Sequence, residues 1–279
     1  FGAEFANVQP HSGASANELS DLPGRVSFVE EIGVDLLHGP DAVIDRWRLS
    51  DSLPNIGAGQ RRRKLAPLNA LVGSGAHGPV QLDLRAHGPH ALVGGTTGSG
   101  KSEFLQSWIM GLATTHSPSR VTFLLVDYKG GAAFSECVKL PHTVGLVTDL
   151  TPHLVQRALK SLNAELRHRE HILNRKKAKD VLELEQRHDP DCPPSLVIVV
   201  DEFAALVMEV PEFVDGVVNV AQRGRSLGLH LVLATQRPAG VIKDNLRANT
   251  NLRVALRMAD EADSSDVIGT NLAATFDPA

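Results

Sequence analysis

Cysteines and long hydrophobic runs are both scarce in this sequence of 279 residues. Its two cysteines, Cys137 and Cys192, lack the spacing of a metal site and suggest no disulfide framework, which fits a reducing cytosol. No apolar run approaches the roughly 18 residues of a membrane-spanning helix, and no signal peptide is recognisable. A disulfide-rich scaffold and a transmembrane segment are therefore not expected among these residues.

An excess of positive charge is also missing. The net charge of −4 and the pI near 6.3 argue against an overall nucleic-acid-binding surface, although a local basic channel stays possible. The twelve histidines make no zinc pattern, and the arginines around His168 and His171 favour a solvated helix face. With 42% hydrophobic and 22% charged residues, the composition is that of a globular chain.

The most informative stretch is "ALVGGTTGSGKSEFL", residues 91–105. It contains G-x-x-x-x-G-K-[ST] without a mismatch, between a short apolar run and residues at helical spacing. Strand, loop and helix in this order are the context of a phosphate-binding loop (P-loop), in which backbone N–H groups and the helix dipole form an anion site. The alternative is a glycine-rich turn before an ordinary helix.

A P-loop of this kind predicts ATP and Mg²⁺ as cofactors. Lys101 is expected to reach the β- and γ-phosphates, and Ser102 to ligate Mg²⁺. The predicted nucleotide-binding residues are Gly95, Thr96, Thr97, Gly98, Ser99, Gly100, Lys101, Ser102 and Glu103.

The rest of the chain alternates between apolar strands and helical patterns. Strands are predicted at 121–126, 196–200, 229–234 and 252–256, and an edge strand at 78–84. Apolar strands separated by helices indicate a mostly parallel central sheet with helices on both faces. Ligands of such sheets lie at the carboxyl ends of the strands, where Gly95, Asp127, Asp201 and Thr235 all fall.

An acidic pair, Asp201-Glu202, directly follows the predicted strand 196–200. In an NTPase, Asp201 would hold the water shell of Mg²⁺, and Glu202 would polarise the attacking water as the catalytic base. The alternative is that these residues cap the next helix. One strand, 121–126, intervenes between the two motifs, which is typical of NTPases with an added strand and a catalytic glutamate.

These features together predict an α/β fold of the P-loop NTPase class, RecA-like and of the type with an additional strand and a catalytic glutamate. Thr235 and Gln236 end the next strand, where Gln236 could sense the γ-phosphate; an ordinary polar strand end is the alternative. Residues 1–77 are expected to be a linker or flanking segment, packed on or preceding the ATPase domain at 78–279, whose C-terminal end is expected to be truncated.

Five separated motifs carry a resemblance to a known family: "GTTGSGKSE", "DYKGGAAF", "LPHTVGLVTDL", "VIVVDEFAAL" and "RGRSLGLHLVLATQRP". In this order they resemble the FtsK/SpoIIIE class of motor ATPases over residues 78–272. The stretch "DYKGG" followed by Phe134 is more similar to the EccC/EssC ATPases of type VII secretion than to the chromosome translocases.

The resemblance implies a motor domain of a larger protein at the cytoplasmic face of the bacterial cell membrane, anchored through segments outside this chain. The implied partners are other ATPase domains or subunits, in a hexameric ring or a string. The cargo would be small helical secreted proteins if the system is type VII-like, or DNA if it is FtsK-like. A third possibility is a nucleotide-binding regulatory module with little turnover, but Lys101, Ser102, Asp201 and Glu202 are all present.

An arginine that neutralises the γ-phosphate is not obvious within the predicted site. An arginine finger increases the rate of hydrolysis by a factor of roughly 10³ to 10⁵. An isolated domain without one is therefore expected to be a weak ATPase. The candidates are Arg157, Arg223 and Arg225, all on predicted helices, where pairing with surface carboxylates is the alternative. Arg157 is the first choice for an arginine that acts in trans on a neighbouring site.

Overall fold

The computed structural model describes residues 7–8, 27–53, 67–75, 78–127, 130, 132–148, 151–238 and 244–276. Within these residues the strands are β1 (Asn7–Val8), β2 (Asn69–Gly75), β3 (Gly78–Asp83), β4 (His90–Gly94), β5 (Val121–Asp127), β6 (Thr143–Val147), β7 (Ser195–Asp201), β8 (Leu229–Thr235) and β9 (Leu252–Ala255). The helices are α1 (Phe28–Ile32), α2 (Pro40–Leu49), α3 (Lys101–Thr115), α4 (Pro152–Lys176), α5 (Val181–Gln186), α6 (Phe203–Glu209), α7 (Pro211–Leu227), α8 (Asp244–Asn249) and α9 (Glu261–Ile268). Short 3-10 turns cover Val34–His38, Ala132–Phe134, Cys137–Lys139 and Leu272–Ala274.

The central sheet has seven strands in the order β1-β9-β4-β8-β7-β5-β6. All of its neighbouring pairs are parallel except β1 with β9. The P-loop strand β4 lies between β9 and β8, and the strand that ends at Asp201, β7, lies beside β8. The predicted mostly parallel sheet is therefore confirmed.

The strand that separates the two motifs in space is β8, and the interpretation of residues 121–126 as that strand is wrong. They form β5, which lies on the far side of β7 from β4. Parallel strands need crossover connections, so the order along the chain does not give the order in the sheet. The sequence analysis did not predict β6. The residues of this strand are half-buried or exposed, so β6 is not one of the buried apolar strands.

Helices cover both faces of the sheet, as predicted. On one face α3 packs on the sheet together with β2 and β3, around Trp108, Phe123 and Val199. On the other face α4, α6, α7 and α9 bury a second core, to which the α4 stripe contributes Leu162 and Leu166. Two apolar clusters on opposite faces hold the carboxyl edge of the sheet rigidly in place.

The N-terminal residues that the structure describes pack against this domain. They include α1 and α2, and Trp47 of α2 donates its indole N–H to the carbonyl of Ala113 at 2.9 Å. The predicted edge strand at 78–84 is β3, but it pairs with β2 in a separate two-stranded sheet. This pairing spans the expected division at residue 77, so we propose that the ATPase domain begins before residue 78.

The scarcity of cysteines has a simple structural counterpart. Cys137 and Cys192 are both free, and burial raises the pKa of each thiol to about 11.

His168 and His171 are exposed on α4, as their arginine-rich surroundings indicate. Across the described ranges, no helix is long and apolar enough to cross a membrane.

Four histidines are buried in this fold. Burial lowers the pKa of His90 and His116 from 6.5 to about 4 and that of His230 to about 3, and it also lowers the pKa of His142. Each ring contacts a backbone carbonyl, and His90 also accepts the N–H of Leu231 on Nδ1 at 3.1 Å, which requires a neutral ring. The folded state therefore favours the unprotonated form.

We expect the free energy of unfolding to decrease as the pH falls from about 6.5 towards 4. In this window the unfolded chain binds more protons than the folded chain, at a cost of roughly 2 kcal/mol for a histidine such as His116 at pH 5. Urea unfolding at pH 7.5 and pH 5 measures the difference. His116→Gln should reduce this pH dependence and the exposed control His168→Gln should not; equal stability at both pH values would contradict the prediction.

Candidate nucleotide-binding site

The P-loop runs from the end of β4 into α3, as its spacing predicts. Gly98 and Gly100 have φ values of 76° and 82°, which glycine adopts without steric cost. A Cβ at Gly95 would lie 2.6 Å from the Ser99 Oγ and 3.2 Å from the Leu256 Cβ, so a larger residue would displace the loop. Helix α3 begins at Lys101 and directs the positive end of its dipole at the loop.

Ser99 gives the loop a polar group that protein atoms do not satisfy. It is only 6% exposed, and its hydroxyl has no hydrogen-bond partner in the part of the chain that the structure describes. A buried hydroxyl without a partner costs free energy unless a ligand or water pairs with it. Together with the glycine-lined cradle, this hydroxyl fits a bound phosphate chain.

The acidic pair lies beside the lysine of the P-loop. Lys101 Nζ contacts Asp201 Oδ1 and lies 4.0 Å from Glu202 Oε2, although 100 residues separate the first two along the chain. Lys101, Asp201 and Glu202 are 5%, 5% and 8% exposed. The fold thus brings the two predicted motifs into direct contact in a largely dry environment.

Glu202 has an unusual backbone conformation. Its φ of 58° is in the left-handed region, and its N–H donates to Asp201 Oδ1 at 2.9 Å. Such conformations cost of order 1 kcal/mol in a non-glycine residue and cluster at functional sites. This turn lies at the N-cap position of α6.

The charges at this point fit a divalent cation. Two buried carboxylates face one lysine, which leaves a net negative charge that a bound cation would balance. Mg²⁺ is usually held by one or two carboxylates together with substrate phosphates, rather than by a full protein cage. The described residues contain no group of three or more His, Cys, Asp or Glu side chains placed to hold a metal.

The end of β8 lies against the P-loop on the side of the acidic pair. Gly95 donates its N–H to the carbonyl of Thr235 at 3.2 Å, and Thr97 Oγ1 donates to Gln236 Oε1 at 3.0 Å. The structure therefore places Gln236, predicted as a γ-phosphate sensor, in contact with the loop. Ser102 is half-buried in the first turn of α3, and Glu103 is exposed there.

Two arginines beside the P-loop escaped the sequence analysis. Arg237 directly follows Gln236, and the carbonyl of Arg257 accepts the N–H of Thr96 at 3.0 Å. Both residues lie beside the loop, whereas the absence of an arginine in cis at the γ-phosphate stays a prediction. Arg237 follows the predicted strand 229–234 by three residues, and Arg257 follows the predicted strand 252–256 by one residue; that position was the available signal.

The three arginines that the sequence singled out lie elsewhere. Arg157 is exposed on α4, Arg225 is exposed on α7, and Arg223 forms an ion pair with Glu170. No hydrogen bond or ion pair joins any of them to residues 95–102 within the described ranges. Pairing with a surface carboxylate, the alternative reading, is what the structure shows for Arg223.

A glycine-rich loop between a parallel strand and a helix, with an acidic pair two strands away, defines the class of P-loop ATPases. Comparison with known families supports this class. The model of the FtsK/SpoIIIE family matches residues 54–240, and the chain belongs to this family.

Among curated proteins, the chain is similar to the type VII secretion system protein EssC of Staphylococcus aureus (strain NCTC 8325 / PS 47), with 38% identity over 256 residues. It is 41% identical over 223 residues to the ESX secretion system protein EccC of Geobacillus thermodenitrificans (strain NG80-2). These matches cover 89% and 78% of this chain but 16% and 15% of the two relatives. The chain thus spans about a sixth of the length of the curated relatives it matches.

A solved structure agrees with this relationship. The cytoplasmic domain of the Thermomonospora curvata type VII secretion ATPase EccC superposes with a TM-score of 0.79 at 32% identity. The match covers 91% of this chain and 30% of that one. The resemblance to EccC and EssC ATPases that the motifs indicate is therefore confirmed.

Proposed function

We propose that this chain is an ATP-binding and ATP-hydrolysing motor domain of a larger membrane-associated translocase that powers type VII-like protein secretion. The observation that carries the proposal is the buried contact of Lys101 with Asp201 and Glu202 beside the glycine cradle. The identity of 38–41% to EssC and EccC supports the choice of system. In this proposal the domain works at the cytoplasmic face of the membrane, anchored by other parts of its protein.

Each residue of the site has a distinct role in this proposal. Bound ATP supplies the phosphoanhydride bond, and Mg²⁺ supplies positive charge for the phosphate oxygens. The backbone N–H groups of residues 95–102 and Lys101 Nζ hold the phosphates, while Ser102 and Asp201 position the cation. Glu202 Oε2 accepts a proton from the attacking water, and Gln236 positions that water or senses the terminal phosphate.

Protein is favoured over DNA as the cargo. Three of the cations in the stretch richest in basic residues, 151–188, pair with carboxylates of the same domain: Arg169 with Glu165, Arg187 with Glu183, and Lys176 with Asp189 and Asp191. A DNA motor needs unpaired cations along the nucleic acid backbone. This pairing within the domain reduces the number of cations that the stretch could offer to a nucleic acid backbone.

Turnover by one copy is expected to be slow. We propose that ATPase domains or subunits assemble into a ring or a string, and that Arg157 of one site completes its neighbour. Arg157 is exposed near the start of α4, so a neighbouring domain can approach it.

A mixing experiment tests this assembly. Arg157→Ala protein keeps its own P-loop and acidic pair, and Glu202→Gln protein keeps its arginine. We expect each variant to be nearly inactive alone and the mixture to regain ATPase activity, with rates that rise with protein concentration. Arg167→Ala, which removes another exposed arginine of α4, should behave like the wild type. Full activity of a dilute wild-type monomer, independent of concentration, would contradict action in trans.

A second measurement distinguishes the two kinds of cargo. ATP hydrolysis is measured with double-stranded DNA, with a small helical secreted protein, and with neither. We expect DNA to leave the rate unchanged and the secreted protein to change it. Stimulation by DNA alone would favour an FtsK-type DNA translocase.

A further inference from the structure

Arg257 lies on the side of the P-loop that is opposite to the acidic pair. Strand β9 ends at Ala255 and borders β4 on one side, whereas β8 and then β7 follow on the other. The carbonyl of Arg257 accepts both the N–H of Thr96, at 3.0 Å, and the Thr96 hydroxyl, at 3.2 Å. The main chain of Arg257 is therefore held directly against the loop.

The residues on both sides of Arg257 make this position rigid. Leu256 lies 3.2 Å from the position of a Cβ at Gly95, and Met258 lies 3.1 Å from the position of a Cβ at Gly94. Both side chains are buried, at 1% and 3% exposure. Leu256 and Met258 pack into the cores on opposite faces of the sheet. The Cα atom of Arg257, from which its side chain extends, is therefore held in a fixed position.

Arg257 is half-buried as a residue, and within the described residues its guanidinium makes no hydrogen bond or ion pair. Arg253, four residues earlier in the same segment, is different: its guanidinium donates to the carbonyls of Thr250 and Arg247. A guanidinium carries several N–H donors in a planar fork that matches phosphate oxygens. Arg257 thus carries a phosphate-binding group without a partner among the described residues, and its main chain borders the anion cradle.

The direction of a bound nucleotide follows from the position of the lysine. Lys101 reaches towards β7, where it meets Asp201, so the terminal phosphate and the cation belong on that side of the loop. The opposite end of the phosphate chain then points towards β9. We propose that Arg257 binds the α-phosphate of the nucleotide, an inference that rests on the proposed ATP-binding function.

The charge distribution of the site supports this assignment. The charge of Lys101 is offset by Asp201 and Glu202, so the cradle needs a second cation for a polyphosphate at neutral pH. Arg257 supplies this charge at the end of the loop that lies away from the carboxylates. Since the α-phosphate does not change its charge during hydrolysis at the γ-phosphate, Arg257 binds ground state and transition state equally.

The test compares wild type, Arg257→Met and Arg257→Lys by calorimetry with ATP and with inorganic tripolyphosphate. We expect Arg257→Met to raise the Kd of both ligands by about tenfold or more, because one charge-assisted hydrogen bond is lost from each. Arg257→Lys should recover part of the loss, since it keeps the charge without the fork. In steady-state kinetics KM should rise while kcat stays within about twofold of the wild type.

Several outcomes would overturn the assignment. They are an unchanged Kd, a loss of affinity for ATP but not for tripolyphosphate, or a fall in kcat with constant KM. Arg167→Met, the same substitution at an exposed site on α4, is the matched control and should change nothing. If wild-type protein binds neither ligand, the proposed function itself fails; if Arg257→Met binds both as well as wild type, only this inference fails. Thermal unfolding of each variant shows whether it is folded.

Discussion

Lys101→Ala is expected to abolish measurable ATP binding. The lysine is 5% exposed and lies at the first position of α3, where no loop amide can replace its charge and hydrogen bonds. Its removal also leaves Asp201 and Glu202 facing the phosphates without a compensating cation. We expect the Kd for ATP to rise by about 100-fold or more in calorimetry.

The control for this prediction is Lys160→Ala, which removes an exposed lysine from α4. It should leave both the affinity and the melting temperature unchanged. Because Lys101 is buried between carboxylates, thermal unfolding must show that the Lys101→Ala protein is folded. Equal ATP affinity in the folded variant and the wild type would refute the assignment of residues 95–102 as a phosphate-binding loop.

Glu202→Gln is expected to separate binding from hydrolysis. Glutamine has nearly the same size as glutamate, so the left-handed turn at φ 58° and the start of α6 should persist. It cannot take a proton from water, and the loss of a general base costs on the order of 100-fold or more in rate. We therefore expect ATP and Mg²⁺ to bind normally while steady-state hydrolysis falls by at least that factor.

Glu209→Gln at the exposed end of α6 is the matched control and should hydrolyse ATP like the wild type. Asp201→Asn should impair hydrolysis through loss of the cation. Asp127 is the other carboxylate at this edge; it lies opposite Asp201 in register, and its Oδ2 accepts the N–H of Ala133 at 2.9 Å. If Glu202→Gln stays active while Asp127→Asn is inactive, the catalytic base has been assigned to the wrong carboxylate.

The sequence was sufficient for the motifs because their chemistry is local. Gly95 to Ser102 must form one turn between a strand and a helix, and the spacing of glycines and lysine specifies that turn without long-range information. Asp201-Glu202 was recognisable for the same reason, as an acidic pair after a buried run. The structure places these residues where the pattern predicts them, whereas their roles in binding and catalysis stay predictions.

The arginines show where this kind of reasoning stops. Arg157, Arg223 and Arg225 were selected because no arginine in the predicted site was obvious. Arg237 and Arg257 follow strand ends, but a strand end is near the P-loop only if its strand lies beside β4. That neighbourhood results from crossover connections, which the sequence of each strand does not encode.

The sequence by itself determined the class of fold, the phosphate-binding loop, the acidic pair and the family, because each depends on residue types at short spacing. The tertiary structure alone decided the order of the sheet, with β8 between the two motifs, and the contact of Lys101 with Asp201 across 100 residues. It also decided that Arg257 lies against Thr96. Apolar strands of similar composition can pair in many orders, and only the joint packing of helices on both faces selects one of them.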